Sequence, residues 1–485
     1  MDDLFEAVYA GDDDALVRLL RSGAPADAAD EDGQTVLYLA ALQNRQGAVR
    51  ILLAAGADPE RSSGQDAGDL PLCGAACGGH TEVARALLAA GAGADRQEAY
   101  GFTAMAWAVR QGHADTVQAL LEHGADPNLP GPDGLPPLVA AARRGSTGCV
   151  RALLGFGAGP VEDALREARH WLGVDVEATL LRSLTEMYGA GYESVVRRVP
   201  EDGGITVIVE LLREDGAPLA GNEQQTGHAA VVTLLEGELG LRTSFEELAE
   251  RALRCGDPEL DDWTESVAAL WRRGDEETFR AAAAYCGAAG DELRQAFGAS
   301  VLGQLREFAP RALPLLRELS REARDGALVE SVVAGLGQFA DPAALPEILR
   351  HAGHPDPDVR RRVAVAATGL VPEGDARAVD ALVALSRDAD TGVRDWATLA
   401  LAEVPGDTPA VREALAARLA DRDPDTAAEA ARGLTIRQDP RAVDTLLRLL
   451  STEPPESAAR DTALAALEFV QDPRLRARLE WTTPR

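Results

Sequence analysis

The chain has no lysine; all 48 of its basic residues are arginine, and asparagine is nearly missing. A chain rich in Ala, Gly, Arg and Pro but poor in Lys and Asn fits the coding bias of a GC-rich bacterial genome better than a physical need for guanidinium. Aromatic residues make up only 4 % of the 485 positions, while hydrophobic residues reach 46 %. The interior must therefore be built from Ala, Leu and Val, which suits closely packed helices. Positive charge is outweighed. With 79 acidic residues the formal net charge is −31, which argues against a phosphate backbone or an anionic bilayer as partner. Cysteine is sparse and odd in number (Cys73, Cys77, Cys149, Cys255, Cys286), so reduced thiols in a cytoplasmic setting are expected. No apolar run approaches 18 residues, and the acidic start MDDLFEAVYAGDDD has neither a basic n-region nor an apolar h-region. We expect neither a membrane span nor a signal peptide.

What the chain does have is repetition. A Gly-Ala pair recurs at Gly23, Gly56, Gly91, Gly124 and Gly157, in steps of 33, 35, 33 and 33 residues. A second marker at Thr35, Leu70, Thr103 and Pro136 keeps the same phase, so the two-residue surplus falls in the turn-rich stretch DPERSSGQDAGD. Each unit reads as turn, short helix, turn, longer helix. In GFTAMAWAVRQGHADTVQALLEHGADPN, Thr103 caps the first helix and Gly112 ends it. Val117, Leu120 and Leu121 form the apolar stripe of the second helix, and Gly124 stops that helix where a positive φ is needed.

A second period appears after about residue 275. Leu302, Leu336, Leu370, Leu401, Leu434 and Leu467 recur every 31–34 residues, as do Leu313, Leu345, Val379, Val411, Val443 and Leu475 every 32–34. Both sets are expected in the core. Asp-Pro pairs at 341–342, 356–357, 423–424, 439–440 and 472–473 supply an N-cap and an N1 proline for helix starts. Between the arrays, 161–189 reads as helix with Leu165, Ala168, Leu172 and Val176 on one face. Two β-branched runs around 200–204 predict a β-hairpin. GHAAVVTLLEGELG echoes the second helix of the first array, but no first helix precedes it at the proper distance, so Gly227-His228 is read as a plain helix start.

The first array resembles the ankyrin repeat through DGQTVLYLAA…VRILLAAGADP, LPLCGAACGGHTEVARALLAAGA, GFTAMAWAVRQGHADTVQALLEHGADPN and DGLPPLVAAARRG…VRALLGFGA. LFEAVYAGDDDALVRLLRSGA forms a degenerate first unit. The family's Thr-Pro-Leu-His tetrapeptide is never complete; Tyr38, Cys73, Ala106 and Val139 stand at its His. The second array is similar to short bacterial HEAT repeats, also called phycobilisome-lyase HEAT-like, through HPDPDVRRRVAVAATGL, DADTGVRDWATLALAEV and DRDPDTAAEAARGL. That resemblance implies ion pairs of Asp358 with Arg360 and of Asp390 with Arg394. The expected fold is mainly α: two helical solenoids, ankyrin over 1–160 and HEAT-like over 276–485. An irregular module with a small β-hairpin joins them over 161–275.

Chemistry-bearing clusters are few. Cys73, Cys77 and His80 fall near one helical face, but a turn intervenes and a fourth metal ligand is missing. His228, with Glu223 and Thr226 nearby, lacks a nucleophile or an orienting partner, so it is expected to bond a turn carbonyl. Acidic runs such as Asp12–Asp14, Asp30–Asp32 and Asp261-Asp262 read as solvated turns. No catalytic, cofactor or metal site is expected. A solenoid instead offers a long concave face for binding. The resemblance to ankyrin repeats places Gln34, Leu39, Gln43, Asp69, Tyr100, Phe102, Trp107, Arg110, Gln111, Leu135, Arg143 and Arg144 on that face. Three aromatics in one unit, with Arg beside them, have the composition of an interface hot spot.

The leading expectation is a non-enzymatic adaptor or scaffold for a protein or peptide partner, one whose basic charge the acidic surface would steer. The HEAT-like resemblance leaves two rivals, a bilin-lyase-like enzyme and a nucleic-acid-processing protein. Against the second, residues 1–160 carry a net −10 and the remainder −21.

Overall fold

The computed structural model describes residues 2–64 and 68–482. Contacts divide the chain into two compact units, Met1–Cys255 with Glu259–Ala269, and Gly256–Pro258 with Leu270–Arg485.

The first unit opens with five helix pairs: α1 (Asp2–Ala10) with α2 (Asp13–Arg21), α3 (Val36–Leu42) with α4 (Gln46–Ala54), α5 (Pro71–Cys77) with α6 (Thr81–Ala89), α7 (Ala104–Gln111) with α8 (Ala114–Glu122), and α9 (Pro137–Arg144) with α10 (Thr147–Gly155). The short apolar first helices form one stacked row and the second helices another. Local chemistry sets the helix limits. Thr35 and Thr103 accept the backbone N–H of Tyr38 and Ala106. Gly112 closes α7 at φ +81°, and Gly124 follows α8 at φ +87°, a region that costs other residues a Cβ clash. Val117, Leu120 and Leu121 are buried. Leu39 is buried as well, so it belongs to the core and not to the outward set, because α3 turns that side toward its neighbouring helices.

Beyond the fifth pair come α11 (Val161–Leu172), α12 (Val176–Tyr188), the strands β1 (Glu193–Glu201), β2 (Gly204–Leu212) and β3 (Pro218–Gln225), then α13 (His228–Glu238), α14 (Phe245–Cys255) and α15 (Asp261–Arg273). The helix expected through Val176 breaks after Leu172. Gly173 ends α11, and the Asp175 carboxylate accepts the N–H of Ala178 to start α12. The hairpin forms with Asp202-Gly203 as a two-residue turn, both at positive φ, as a primed turn requires. A third antiparallel strand, which the sequence reading lacked, pairs with β2 in the order β1-β2-β3. Val207, Val209 and Leu211 pack on Val176, Leu180 and Leu184 of α12.

Helices α11 and α13 continue the ankyrin core. Ala164, Leu165, Ala168, Val231, Val232 and Leu235 share one apolar cluster with the repeats. α11 lies against α9, and α13 lies against both α11 and α10. The Gly-His turns make this alignment explicit. His80 Nε2 bonds the Leu42 carbonyl at 3.1 Å and His113 Nε2 bonds that of Cys77 at 3.2 Å. His228 Nε2 bonds that of Arg143 at 3.1 Å. Each acceptor lies three residues before the N-cap of the preceding second helix, which is Arg45, His80 or Ser146. The pair α11–α13 therefore stands where a sixth repeat belongs, with residues 173–227 inserted between its helices. This corrects the reading of Gly227-His228 as an isolated helix start; the insertion hid the spacing. The Asp261-Asp262 reading also changes. Asp262 is buried and accepts the N–H of Ala230, while Asp261 pairs with Arg151. The two residues start a docked helix instead of forming a solvated turn.

The second unit contains α16 (Glu276–Cys286), α17 (Glu292–Gln304), α18 (Ala309–Glu322), α19 (Gly326–Gln338), α20 (Leu345–Leu349), α21 (Pro357–Ala367), α22 (Ala376–Leu385), α23 (Thr391–Glu403), α24 (Pro409–Ala416), α25 (Pro424–Ile436), α26 (Ala442–Thr452), α27 (Ala458–Ala466) and α28 (Pro473–Trp481). α17, α19, α21, α23, α25 and α27 stack in sequence. The recurring leucines in or just after these helices, from Leu302 to Leu467, are all buried. In the other row Leu345, Val379 and Val411 are buried, but Leu313, Val443 and Leu475 are half-exposed, since the outer helices have solvent on one side. Asp341, Asp356, Asp423 and Asp472 cap as expected. Asp439 likewise accepts the backbone N–H two residues on, that of Arg441, and also gathers the Arg412 and Arg441 guanidiniums, although α26 begins only at Ala442.

The expected ion pairs are replaced by a ladder between successive repeats of this unit. Arg360 pairs with Asp388 at 2.7 Å and Arg394 with Asp421 at 3.1 Å. Each arginine also donates to the carbonyls five and six residues before it, those of His354 and Pro355 or of Asp388 and Ala389. Asp358 pairs with Arg361. The Asp358 carboxylate is thus engaged one turn ahead on its own helix, while the Arg360 guanidinium reaches across to the next repeat.

Candidate functional site

The inserted sheet stands over the inner face of the ankyrin row and is fixed at two places. At the hairpin tip, the Asp202 carboxylate accepts the Ser146 hydroxyl at 2.6 Å and the Gly148 N–H at 3.1 Å, and the Gly203 carbonyl accepts the Asp261 N–H at 2.6 Å. Burial raises the Asp202 carboxyl above its ordinary range. At the end of β3, Arg144 donates to the Glu223 carboxylate (2.6 Å) and carbonyl (2.8 Å) and to the Gln111 carbonyl (3.3 Å). The Gln224 amide donates to the carbonyls of Arg143 and Arg144. Arg144 is 8 % exposed, so it acts inside the unit as a clamp between sheet and repeats.

Between sheet and repeats lies a cleft of about 1300 Å³. Phe102, Trp107, Arg110, Gln111, Leu135, Arg143 and Arg144 line its repeat side, and Arg197, Val199, Ile208, Glu210 and Glu223 its sheet side. Phe102 and Trp107 stack with centroids 4.2 Å apart and planes 16° apart. The indole N–H donates to Glu98 at 2.8 Å, which fixes the ring and leaves part of it open to the cleft. The Arg110 guanidinium sits 5.8 Å from the Phe102 centroid. Arg143 is held by Glu167 at 2.7 Å and Arg197 by Glu210 at 3.0 Å. The lining carries four arginines and four acidic residues, so a chain of net charge −31 has a locally balanced cleft.

The residues expected on the concave face thus divide. Phe102, Trp107, Arg110, Gln111, Arg143 and Arg144 come together here. Gln34, Gln43, Asp69 and Tyr100 lie outside the cleft. Gln34 closes its turn by donating its N–H to Asp30 at 2.8 Å, Gln43 caps α3, and Asp69 makes a backbone bridge with Ser63. Tyr100 is 78 % exposed. The sheet wall was missed because nothing local in the hairpin states where it docks. The Gly227-His228 pair was the available clue, since it repeats the Gly-His turns at His80 and His113.

Other chemistry-bearing groups are committed to structure. Nε2 of His228 must carry the proton, because a carbonyl only accepts, and the ring stacks on Trp171 at 5.8 Å. Burial lowers its pKa to about 4, so it is neutral at pH 7. His80 is taken by the Leu42 carbonyl, and burial pushes the Cys73 thiol far up. Among the described residues no group of three or more His, Cys, Asp or Glu side chains is placed to hold a metal. Among them, too, no helix is long and apolar enough to cross a membrane.

Comparison with known families bears on both arrays. The ankyrin-repeat profile matches three copies over residues 4–93 and 62–131, and the HEAT-repeat profile matches residues 329–402. A search of curated proteins found no match. Repeats of both families generally serve as protein-interaction scaffolds. The chain thus joins ankyrin repeats in its N-terminal part to HEAT repeats in its C-terminal part.

Proposed function

We propose that this chain is a non-enzymatic, cytoplasmic adaptor that holds a segment of a partner protein in the cleft between the ankyrin repeats and the inserted sheet. The observation that carries the reading is the stacked Phe102–Trp107 pair facing a cleft of about 1300 Å³. Rigid aromatics with a guanidinium beside them dominate binding energy at protein interfaces. The remaining surface is acidic and would speed encounter with a basic partner, while the balanced cleft would set what is finally held. The cytoplasmic placement draws its support from five cysteines that are sparse, odd in number and without a disulfide among the described residues, and a bacterial source from the arginine-only composition.

The test is affinity capture with the whole chain, identification of the partner, and titration of that purified partner against wild type, Trp107→Ala and Tyr100→Ala. Trp107→Ala should weaken binding at least about tenfold, the cost of truncating an interface hot spot, and Tyr100→Ala should change it little. A partner that binds all three equally would refute the cleft. Turnover of a substrate by the purified chain would refute the non-enzymatic reading.

A further inference from the structure

We infer that the cleft selects an extended peptide segment in which a large apolar side chain is followed closely by a carboxylate. This deepens the proposed function and rests on it.

Three of the four arginines in the cleft are already neutralised by carboxylates of the same unit. Arg143 is held by Glu167 at 2.7 Å, Arg144 by Glu223 at 2.6 Å and Arg197 by Glu210 at 3.0 Å. Arg110 is exposed on the last turn of α7, and among the described residues its guanidinium has the Phe102 ring beside it and no carboxylate partner. A guanidinium held over an aromatic face keeps its N–H fork free for a planar acceptor, and a carboxylate matches that fork with two parallel bonds. Immediately beside it, Phe102 and Trp107 form a flat apolar platform whose only polar atom, the indole N–H, is already bonded to Glu98. The platform therefore offers no further hydrogen bond and favours an apolar or aromatic group. With Arg110 5.8 Å from the Phe102 centroid, both contacts lie within one or two residues of an extended chain, which advances about 3.3 Å per residue. The occupant that fits is thus a short extended segment carrying an apolar residue with Asp or Glu one or two positions away. A basic segment would meet Arg110 with like charge and leave it desolvated.

The experiment uses the whole chain and a displayed library of random twelve-residue peptides. Enriched peptides should carry an aromatic or branched apolar residue within two positions of Asp or Glu. One such peptide, synthesised, should lose roughly tenfold or more in affinity for Arg110→Glu, the cost of a charge-assisted hydrogen bond. It should be unaffected by Arg50→Glu, an exposed control on α4. Replacing its carboxylate residue with Lys should restore binding to Arg110→Glu, which also shows that this variant is folded. Peptides that depend on Trp107 yet ignore Arg110→Glu, or that are enriched in Lys and Arg, would overturn the inference while leaving the cleft as the binding site. Peptides indifferent to both Trp107→Ala and Arg110→Glu would overturn the proposed function itself.

Discussion

Asp395 offers the sharpest test of the physics of the HEAT unit. It lies on α23, half-buried, and its Oδ1 is shielded from solvent with no hydrogen-bond partner. Burial, followed by the charges of Asp423, Glu429, Asp425 and Asp421, raises its pKa from 3.8 to about 6. The nearby Arg394 is bound to Asp421 and does not offset this. A rise of that size corresponds to about 3 kcal/mol for a fully shielded group; partial exposure reduces it to about 1–2 kcal/mol. Between pH 3.8 and 6 the folded state binds more protons than the unfolded state, so this group makes the unit less stable as pH rises through that window. Asp395→Asn keeps the shape and removes the charge. Urea unfolding, read by pulsed hydrogen exchange over residues 391–436, should show the variant about 1–2 kcal/mol more stable than wild type at pH 7.5 and nearly equal to it at pH 4. An equal effect at both pH values, or destabilisation at pH 7.5, would mean that the carboxylate is satisfied in the native state and would refute the reasoning.

Two further outcomes are expected in the first unit. His228 is folded neutral with a pKa near 4, against an ordinary value near 6.5, so the unfolded state binds the extra proton between those values. Stability should therefore fall as pH drops from about 7 to 4, by up to about 3 kcal/mol; His228→Gln should flatten this slope in acid-unfolding curves, and an unchanged slope would remove His228 as its source. Gly203 sits at φ +70°, and a Cβ there would collide with the Asp261 carboxylate. Gly203→Ala should cost about 2 kcal/mol or more and raise hydrogen exchange in β1 and β2 ahead of the ankyrin helices; uniform exchange across the unit would contradict an independently anchored tip.

Both arrays were legible in the sequence because each repeat reuses the same local signals. Thr caps, Gly stops and Asp-Pro starts act within a few residues of themselves, so Thr103, Gly112 and Asp356 could be read without knowing their neighbours. The aromatic and arginine half of the cleft was legible for the same reason: Phe102, Trp107 and Arg110 fall at fixed positions of a repeat whose inner face is known. The sheet half was not. Whether β1–β3 cover Trp107 or stand free depends on Asp202 meeting Ser146, and on Glu223 and Gln224 meeting the end of α9. Those contacts join positions 54 to 81 residues apart, and no local periodicity encodes them. Likewise the HEAT-like resemblance implies a pair for Arg360 within its own helix, but Arg360 reaches Asp388 in the next repeat, a carboxylate that only stacking brings beside it. The helices, their caps and their repeat follow from residues close together along the chain. Only the packed structure decided that an insertion within a sixth repeat would close one side of the groove, since docking depends on surfaces that exist only after the repeats have stacked.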